Sequence, residues 1–295
     1  MSAAGPPQGA RPLGGKSRSD ARGDHAGAAS ISAIRMRLVA ALDRHDFLAI
    51  AVSGGVDSMT LSHVAWRYSR ARTTMYHATG PAVPAAARRR VEEHAARHGW
   101  PLVLLDAGEQ SDVRYRANPV DRCYYCKSNL YARIGEATSD PIASGTNCDD
   151  LADFRPGLRA AAERDVVHPY IEAAIDKTAV YALAADLSLD DLERLPAQPC
   201  LASRVETGIA IAPDDLAFID AVETRLAARM GREAVLRCRV THAGIVIELG
   251  VADDPAHAGM AREIGRDACL AAGRAFAGVR PYARGAAFLR KAADA

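Results

Sequence analysis

Two groups of residues in this 295-residue chain have types and spacings that could do chemistry. The first is Ser53-Gly54-Gly55-Val56-Asp57-Ser58, which ends an apolar run that starts at Phe47. Gly54 and Gly55 let an anion approach the main chain closely, Ser53 and Ser58 offer hydroxyl donors, and Asp57 can hold a magnesium ion. It is not a Walker loop, because the nearest candidate, Gly15-Lys16-Ser17, has Ala10 where that motif needs its first glycine. The second group is a CxxC, Cys123 and Cys126 in Arg122-Cys123-Tyr124-Tyr125-Cys126-Lys127, together with Cys200 in Pro199-Cys200-Leu201-Ala202-Ser203-Arg204. A CxxC alone serves zinc, iron–sulfur or redox chemistry. With Cys200 there are three thiolates and no obvious fourth ligand, which leaves a position open for catalysis. All-sulfur ligation favours an iron–sulfur cluster first and zinc second. Cys148, Cys238 and Cys269 read as buried fillers.

These residues need a scaffold, and the hydrophobic pattern supplies one. Phe47 to Val52 reads as a buried strand, and Met59, Leu61, Val64 and Ala65 have helical spacing, so the glycine loop joins a strand to a helix. At such a junction the first helical N–H groups are unpaired and point at the loop. Thr73 to Ala78 as a strand, Pro84 to His98 as a helix and Leu102 to Asp106 as a strand continue the alternation. A helix from about Tyr125 to Ala137, a short strand at Ile142 to Ser144, Val166-Val167 and a helix near Lys177 to Leu187 complete it. The pattern predicts an α/β fold with a parallel sheet covered by helices. Leu195 to Pro199 reads as a hinge. Beyond it, the stripe Leu216, Ile219, Val222, Leu226 and Met230 predicts a helix opened by Pro213 and closed by Gly231. Strands at Val235 to Val240 and Ile245 to Leu249 and a helix from about Pro255 to Ala272 predict a smaller α+β domain. The expected organisation is a tail over 1–30, a nucleotide-binding domain over 31–198 and a substrate or oligomerisation domain over 199–295.

Composition narrows the function. A net charge of +1, with 25% charged and 49% hydrophobic residues, fits a globular enzyme and offers no basic excess for a nucleic-acid surface. No stretch approaches the ~20 apolar residues that cross a bilayer. The first thirty residues lack an apolar h-region and read as a disordered tail, not a signal peptide. A cytoplasmic location, with reduced cysteines, is therefore the expectation.

Ser53 to Ser58 matches the SGGxDS signature of the PP-loop ATP pyrophosphatases, which cleave ATP between its α and β phosphates. Taken with four more ordered blocks, the chain resembles the LarE family of ATP-dependent sulfur transferases over about residues 34–249. Those blocks are the CxxC segment, Gly145-Thr146-Asn147-Cys148-Asp149-Asp150, Phe154-Arg155-Pro156-Gly157 and Pro199 to Arg204. The resemblance implies an α/β PP-loop domain, ATP and Mg²⁺ as cofactors, and Gly145 and Thr146 beside Ser53, Gly54, Gly55, Asp57 and Ser58 at the nucleotide. It implies sulfur insertion into pyridinium-3,5-biscarboxylic acid mononucleotide, whose thiolated product becomes the nickel-pincer nucleotide. ATP converts a carboxylate to an acyl adenylate, and a sulfur nucleophile then displaces AMP. In some members the cysteine matching Cys200 gives up its own sulfur and is left as dehydroalanine. Members that also carry the CxxC hold a [4Fe–4S] cluster, so Cys123, Cys126 and Cys200 are the implied ligands, with sulfide or another sulfur donor supplying repeated turnover. Arg204, Arg237, Arg239, Glu163 and Glu223 match family positions near the substrate or a metal. Arg237 and Arg239 alternate on a strand and so share one face, placed to grip a substrate phosphate. A homo-oligomer is also implied. The chain departs from the family pattern at Ala143-Ser144 and at Arg284-Gly285-Ala286-Ala287-Phe288.

Three other readings are open at this level. A tRNA-thiolating PP-loop enzyme would act on a base carbonyl, against which the near-neutral charge counts. A nucleotide-binding regulatory module with structural zinc would bind nucleotide without releasing pyrophosphate. An ammonia-dependent amide synthetase explains the loop but gives the cysteines no role.

Overall fold

A computed structural model of the chain describes residues 20–231, 234–250, 254–283, 285 and 287, with side chains from residue 30 onward. The Gly15-Lys16-Ser17 segment, Arg284 and Phe288 lie outside the described residues. Helix α1 (Asp20–Leu42) leads into β1 (Phe47–Ala51), α2 (Val56–Tyr68), β2 (Arg72–Ala78), α3 (Ala85–His98) and β3 (Leu102–Leu105). Residues 20–30, expected as tail, are thus the first turns of α1. A short α4 (Val113–Arg116) precedes α5 (Arg122–Ala137), β4 (Ile142–Ser144), α6 (Gly157–Ala162), α7 (Pro169–Glu172) and α8 (Lys177–Asp186). Then come a 3₁₀ turn at Leu201–Arg204, α9 (Pro213–Met230), β5 (Leu236–Thr241), β6 (Gly244–Leu249), α10 (Pro255–Ala271) and β7 (Phe276–Pro281).

The first sheet is all parallel, in the order β3-β2-β1-β4, with Val167 bridging Ala143 at its outer side. Period-two alternation explains how β1 serves both faces. Leu48, Ile50 and Val52 pack with α1, α2 and α8, where Leu38, Met59, Leu61 and Leu183 complete one core. Ala49 and Ala51 face the other way, and their small side chains admit Leu130, Tyr131 and Ile134 of α5. Because the chain runs β1 to β3 in one direction and then returns to place β4 on the far side of β1, the topological switch lies between β1 and β4. Ligands of such sheets bind at that crevice, beyond the carboxyl ends of the strands.

The second unit is a three-stranded sheet, β5-β6-β7, backed by α9 and α10 around Leu216, Ile219, Val222, Leu226 and Ile247. β5 and β6 are antiparallel, and α10 carries the chain over to β7, which lies parallel to β6. The pattern reading missed β7, and the reason is its burial: none of its residues is fully buried, so Phe276-Ala277-Gly278-Val279-Arg280-Pro281 shows no apolar alternation.

The two units are joined through Asn118. It is fully buried and has φ +51°, a conformation that asparagine tolerates better than other non-glycine residues. Its Nδ2 donates toward the carbonyls of Val205 (3.3 Å), Glu206 (2.9 Å) and Ile209 (3.0 Å), while its Oδ1 accepts from Arg122 (2.7 Å). Its backbone carbonyl accepts from Gly208, and the carbonyl of Arg116 accepts from Ile211. Removing this side chain strands buried carbonyls and part of a buried guanidinium and leaves a Cβ residue in the left-handed region. Asn118→Ala is therefore expected to cost about 3 kcal/mol or more of unfolding free energy, measured by urea denaturation.

Candidate active site

The glycine loop is tied to the start of α2 by its own serines. Ser53 N donates to Ser58 Oγ (3.0 Å), the two hydroxyls lie 3.1 Å apart, and Ser58 Oγ donates to Gly55 O (3.2 Å). Gly54 has φ +83°, and a Cβ there would lie 2.7 Å from Ala87 O. Across the crevice, Gly145 closes on the same loop, since a Cβ on it would stand 2.7 Å from Ser58 N and 3.0 Å from Asp57 C. The strand-end segment after β4 and the loop after β1 thus touch at the switch point. Ser53 is exposed and Gly55 and Asp57 are half-buried, so the cradle opens outward.

Asp57 is the polar centre of this loop. Its Oδ1 accepts from Asn147 Nδ2 (3.0 Å), its Oδ2 from Lys177 Nζ (2.5 Å), and its backbone carbonyl from the Tyr170 hydroxyl (3.0 Å). Asn147 is itself fixed by a reciprocal cap with Asp150. Thr146 lies one residue earlier, with its hydroxyl 2.9 Å from Ser144 Oγ, which also meets His168 Nδ1 at 2.8 Å. Lys177 and Tyr170 were not singled out from sequence, and Asn147 stood in the Gly145-to-Asp150 block without a role. Lys177 did leave a signal: it follows the N-cap Asp176 at the positive end of α8, where a cation opposes the helix dipole and needs another reason to be present.

The cysteines lie at the same end of the sheet. Cys123 and Cys126 occupy the first two turns of α5, which starts on the carboxyl side of β3. Cys200 is brought to the loop after β2 by Leu201 N, which donates to Ala82 O (2.8 Å). Burial pushes the Cys126 thiol well above its ordinary pKa, and Cys200 adds to that effect. Cys123 moves up for the same two reasons, against the opposing influence of Arg122, Lys127 and Arg155. Burial also raises Glu109 and Tyr115, and the Tyr115 hydroxyl feels Cys200 and Cys126 in turn. Glu109 Oε2 and the Tyr115 hydroxyl are buried with no hydrogen-bond partner among the described residues. Burial lowers Lys127, but Tyr131, Cys126, Cys123 and Cys200 together raise it. The Phe154-Arg155-Pro156-Gly157 block packs here as well, since a Cβ on Gly157 would lie 3.0 Å from Lys127 Cγ.

The remaining sequence-selected residues divide by location. Arg204 is buried and makes a two-pronged ion pair with Glu223 (3.0 and 2.9 Å), while its Nη1 donates to the carbonyls of Pro199 (2.6 Å) and Cys200 (3.2 Å). Glu223 also accepts from Cys238 N (2.9 Å). Arg239 pairs with the fully buried Glu248 (2.8 Å) and donates to Ser203 O (2.8 Å). Arg237 shares its strand face and donates to the carbonyls of Leu236 (2.6 Å) and Ala197 (2.8 Å); burial lowers its pKa, with Arg204 adding to the effect. Arg204, Arg239 and Arg237 therefore hold residues 197–203 by their backbone, and Arg204 with Glu223 fixes the carbonyl of Cys200 itself. Glu163 is exposed and accepts from the Tyr124 hydroxyl (2.8 Å), at the rim of the CxxC. Cys238 and Cys269 lie in the second core, and Cys148 is half-buried.

Two outcomes follow. Gly145→Ala forces a Cβ against the backbone of Ser58, so about 1–3 kcal/mol of unfolding free energy should be lost, measured by urea denaturation. Because burial holds Cys126 up as the thiol, its alkylation by iodoacetamide should lag far behind that of a free cysteine at pH 8 and still be rising above the pH at which a free cysteine levels off, read by peptide mass spectrometry.

No family model matches the chain. It is 34% identical over 181 residues to the uncharacterized protein slr1717 of Synechocystis sp., covering 60% of this chain and 67% of that protein. It is 27% identical over 178 residues to the uncharacterized protein MJ0830 of Methanocaldococcus jannaschii, covering 59% and 67%. It is also 27% identical over 203 residues to the pyridinium-3,5-bisthiocarboxylic acid mononucleotide synthase of Lactiplantibacillus plantarum, covering 67% and 73%. The chain thus belongs to the same family as the Synechocystis protein, and the Lactiplantibacillus synthase is a more distant homologue of it.

Proposed function

We propose that this chain is an ATP-dependent sulfur transferase that turns a carboxylate of pyridinium-3,5-biscarboxylic acid mononucleotide into a thiocarboxylate, a step toward the nickel-pincer nucleotide. The observation that carries this reading is the placement of an anion-binding glycine loop and three thiols, drawn from two domains, on one edge of one sheet. The synthase activity for which the Lactiplantibacillus homologue is named supports the same class of chemistry.

In this reading a substrate carboxylate oxygen attacks the α-phosphorus of ATP, the bond to the bridging oxygen breaks, and pyrophosphate leaves. A sulfur nucleophile then adds to the acyl carbon, and AMP departs with the carboxylate oxygen. Ser53, Ser58 and the N–H groups at the start of α2 hold the leaving pyrophosphate through directed donors. Asp57 is the residue that would hold Mg²⁺. Lys177 now supplies positive charge to that carboxylate and is within reach of a phosphate once an ion replaces it.

The cysteine region fits a metal group by its donor chemistry. Cys123 and Cys126, kept protonated by burial, become thiolates when a cationic centre compensates their charge, and Arg122, Lys127 and Arg155 already bias Cys123 that way. The unpartnered Tyr115 hydroxyl and Glu109 Oε2 are further polar atoms that an occupant would satisfy. Cys123, Cys126 and Cys200 would hold a [4Fe–4S] cluster, which supplies an open iron site for a transferable sulfide. Glu163, at the rim, and Arg237, with no carboxylate partner among the described residues, are the side chains placed to meet substrate. Oligomerisation belongs to the same reading through the family resemblance.

Anaerobic purification with iron and acid-labile sulfide analysis tests this reading on wild type and Cys200→Ala. About four irons per chain, lost in the variant, are expected. Absence of iron after anaerobic reconstitution, or loss of the Cys200 sulfur as dehydroalanine after turnover, would overturn the cluster and return Cys200 to a sacrificial role.

A further inference from the structure

Away from the carboxyl edge, a second group of ligand-type side chains has no part in the chemistry above. His94 and His98 are four residues apart on α3 and so project from one face of that helix, toward His63 on α2. One nitrogen from each imidazole lies within 4.8 Å of the other two. His63 Nε2 and His94 Nδ1 are 2.8 Å apart, and the other nitrogen of His94, Nε2, meets Asp191 Oδ2 at 3.1 Å.

We propose that His63, His94 and His98 form a binding site for a divalent transition-metal ion of the kind that prefers imidazole, such as zinc or nickel. Metal–nitrogen bonds of ~2.0–2.1 Å set tetrahedral ligand nitrogens roughly 3.4 Å apart, a spacing bracketed by the separations here. Asp191 orients His94 as carboxylates orient metal-bound imidazoles, by accepting from the ring nitrogen that does not ligate. A cavity of about 250 Å³, lined by His63, Trp66, Arg67, His98, Leu187 and Leu189, borders the group and leaves room for a fourth ligand from solvent. Arg67 lines the same cavity and opposes the incoming charge, which favours an exchangeable ion over a permanently bound one.

The cysteines also bind soft metals, so the test needs a local reporter. Both tryptophans of the chain supply it: Trp66 lines the cavity, and the Trp100 ring centroid lies 4.6 Å from that of His63. Ni²⁺ is titrated into the full chain while tryptophan fluorescence is followed. Saturable quenching at one Ni²⁺ per chain is expected in wild type and in Cys200→Ala, with at least tenfold weaker binding in His98→Ala. His98 is exposed, so that variant should keep its fold, checked by circular dichroism; His94→Gln provides a second ligand deletion. Equal quenching in wild type and a folded His98→Ala overturns the site. Quenching that disappears in Cys200→Ala places the ion at the thiols and overturns it as well.

Discussion

The arrangement at the sheet edge depends on one buried asparagine. Asn118 sits in the left-handed region between α4 and α5, and its amide satisfies carbonyls of a segment about ninety residues later in the chain. The same side chain receives Arg122, the residue immediately before Cys123. A single amide therefore sets the position of the CxxC helix relative to the segment that follows Cys200. Two domain cores could pack in several ways by apolar area alone, because burial has no direction. Directed bonds in a buried setting select one of them, since any other docking leaves these groups unsatisfied.

Charge is used in the same restrictive way. Arg204 with Glu223 and Arg239 with Glu248 are buried pairs, and such pairs are weak contributors to net stability but costly to break, about 3–5 kcal/mol when one partner is removed. Both arginines spend their remaining donors on carbonyls between Pro199 and Ser203. Residues 199–204 begin as loop and end in one 3₁₀ turn, so little secondary structure holds them. Guanidinium groups anchored in the second sheet and α9 give that segment the rigidity that a helix or strand would otherwise provide.

The parallel sheet was readable because β1 and β3 are short apolar runs and the strands alternate with segments of helical spacing, and the glycine loop because its glycines and serines break the apolar run of β1. The second domain was readable as far as its strands alternate. β7 lacks that alternation, so it escaped. Side-chain partnership was the least legible property. The alternation of Arg237 and Arg239 correctly put both on one face, yet sequence could not show that Glu248, nine residues after Arg239, is buried against it and takes one of the two. Arg204 and Glu223 were noticed as separate positions, whereas their meeting depends on α9 lying over the 3₁₀ turn. Lys177 was missed, and Asn147 was noticed without its role, because their target, Asp57, is ninety or more residues away in the chain, and no local pattern records such a distance.

The division of the thiols between two domains also orders events during synthesis. Cys123 and Cys126 leave the ribosome together, on a helix whose Leu130, Tyr131 and Ile134 pack on the first sheet, while its first turns, at Tyr125 and Cys126, meet the second core. The third thiol emerges more than seventy residues later, and its segment is fixed only after α9 and β5 have formed the surface that holds it. A nascent chain thus presents a two-thiol fork well before it presents a three-thiol set.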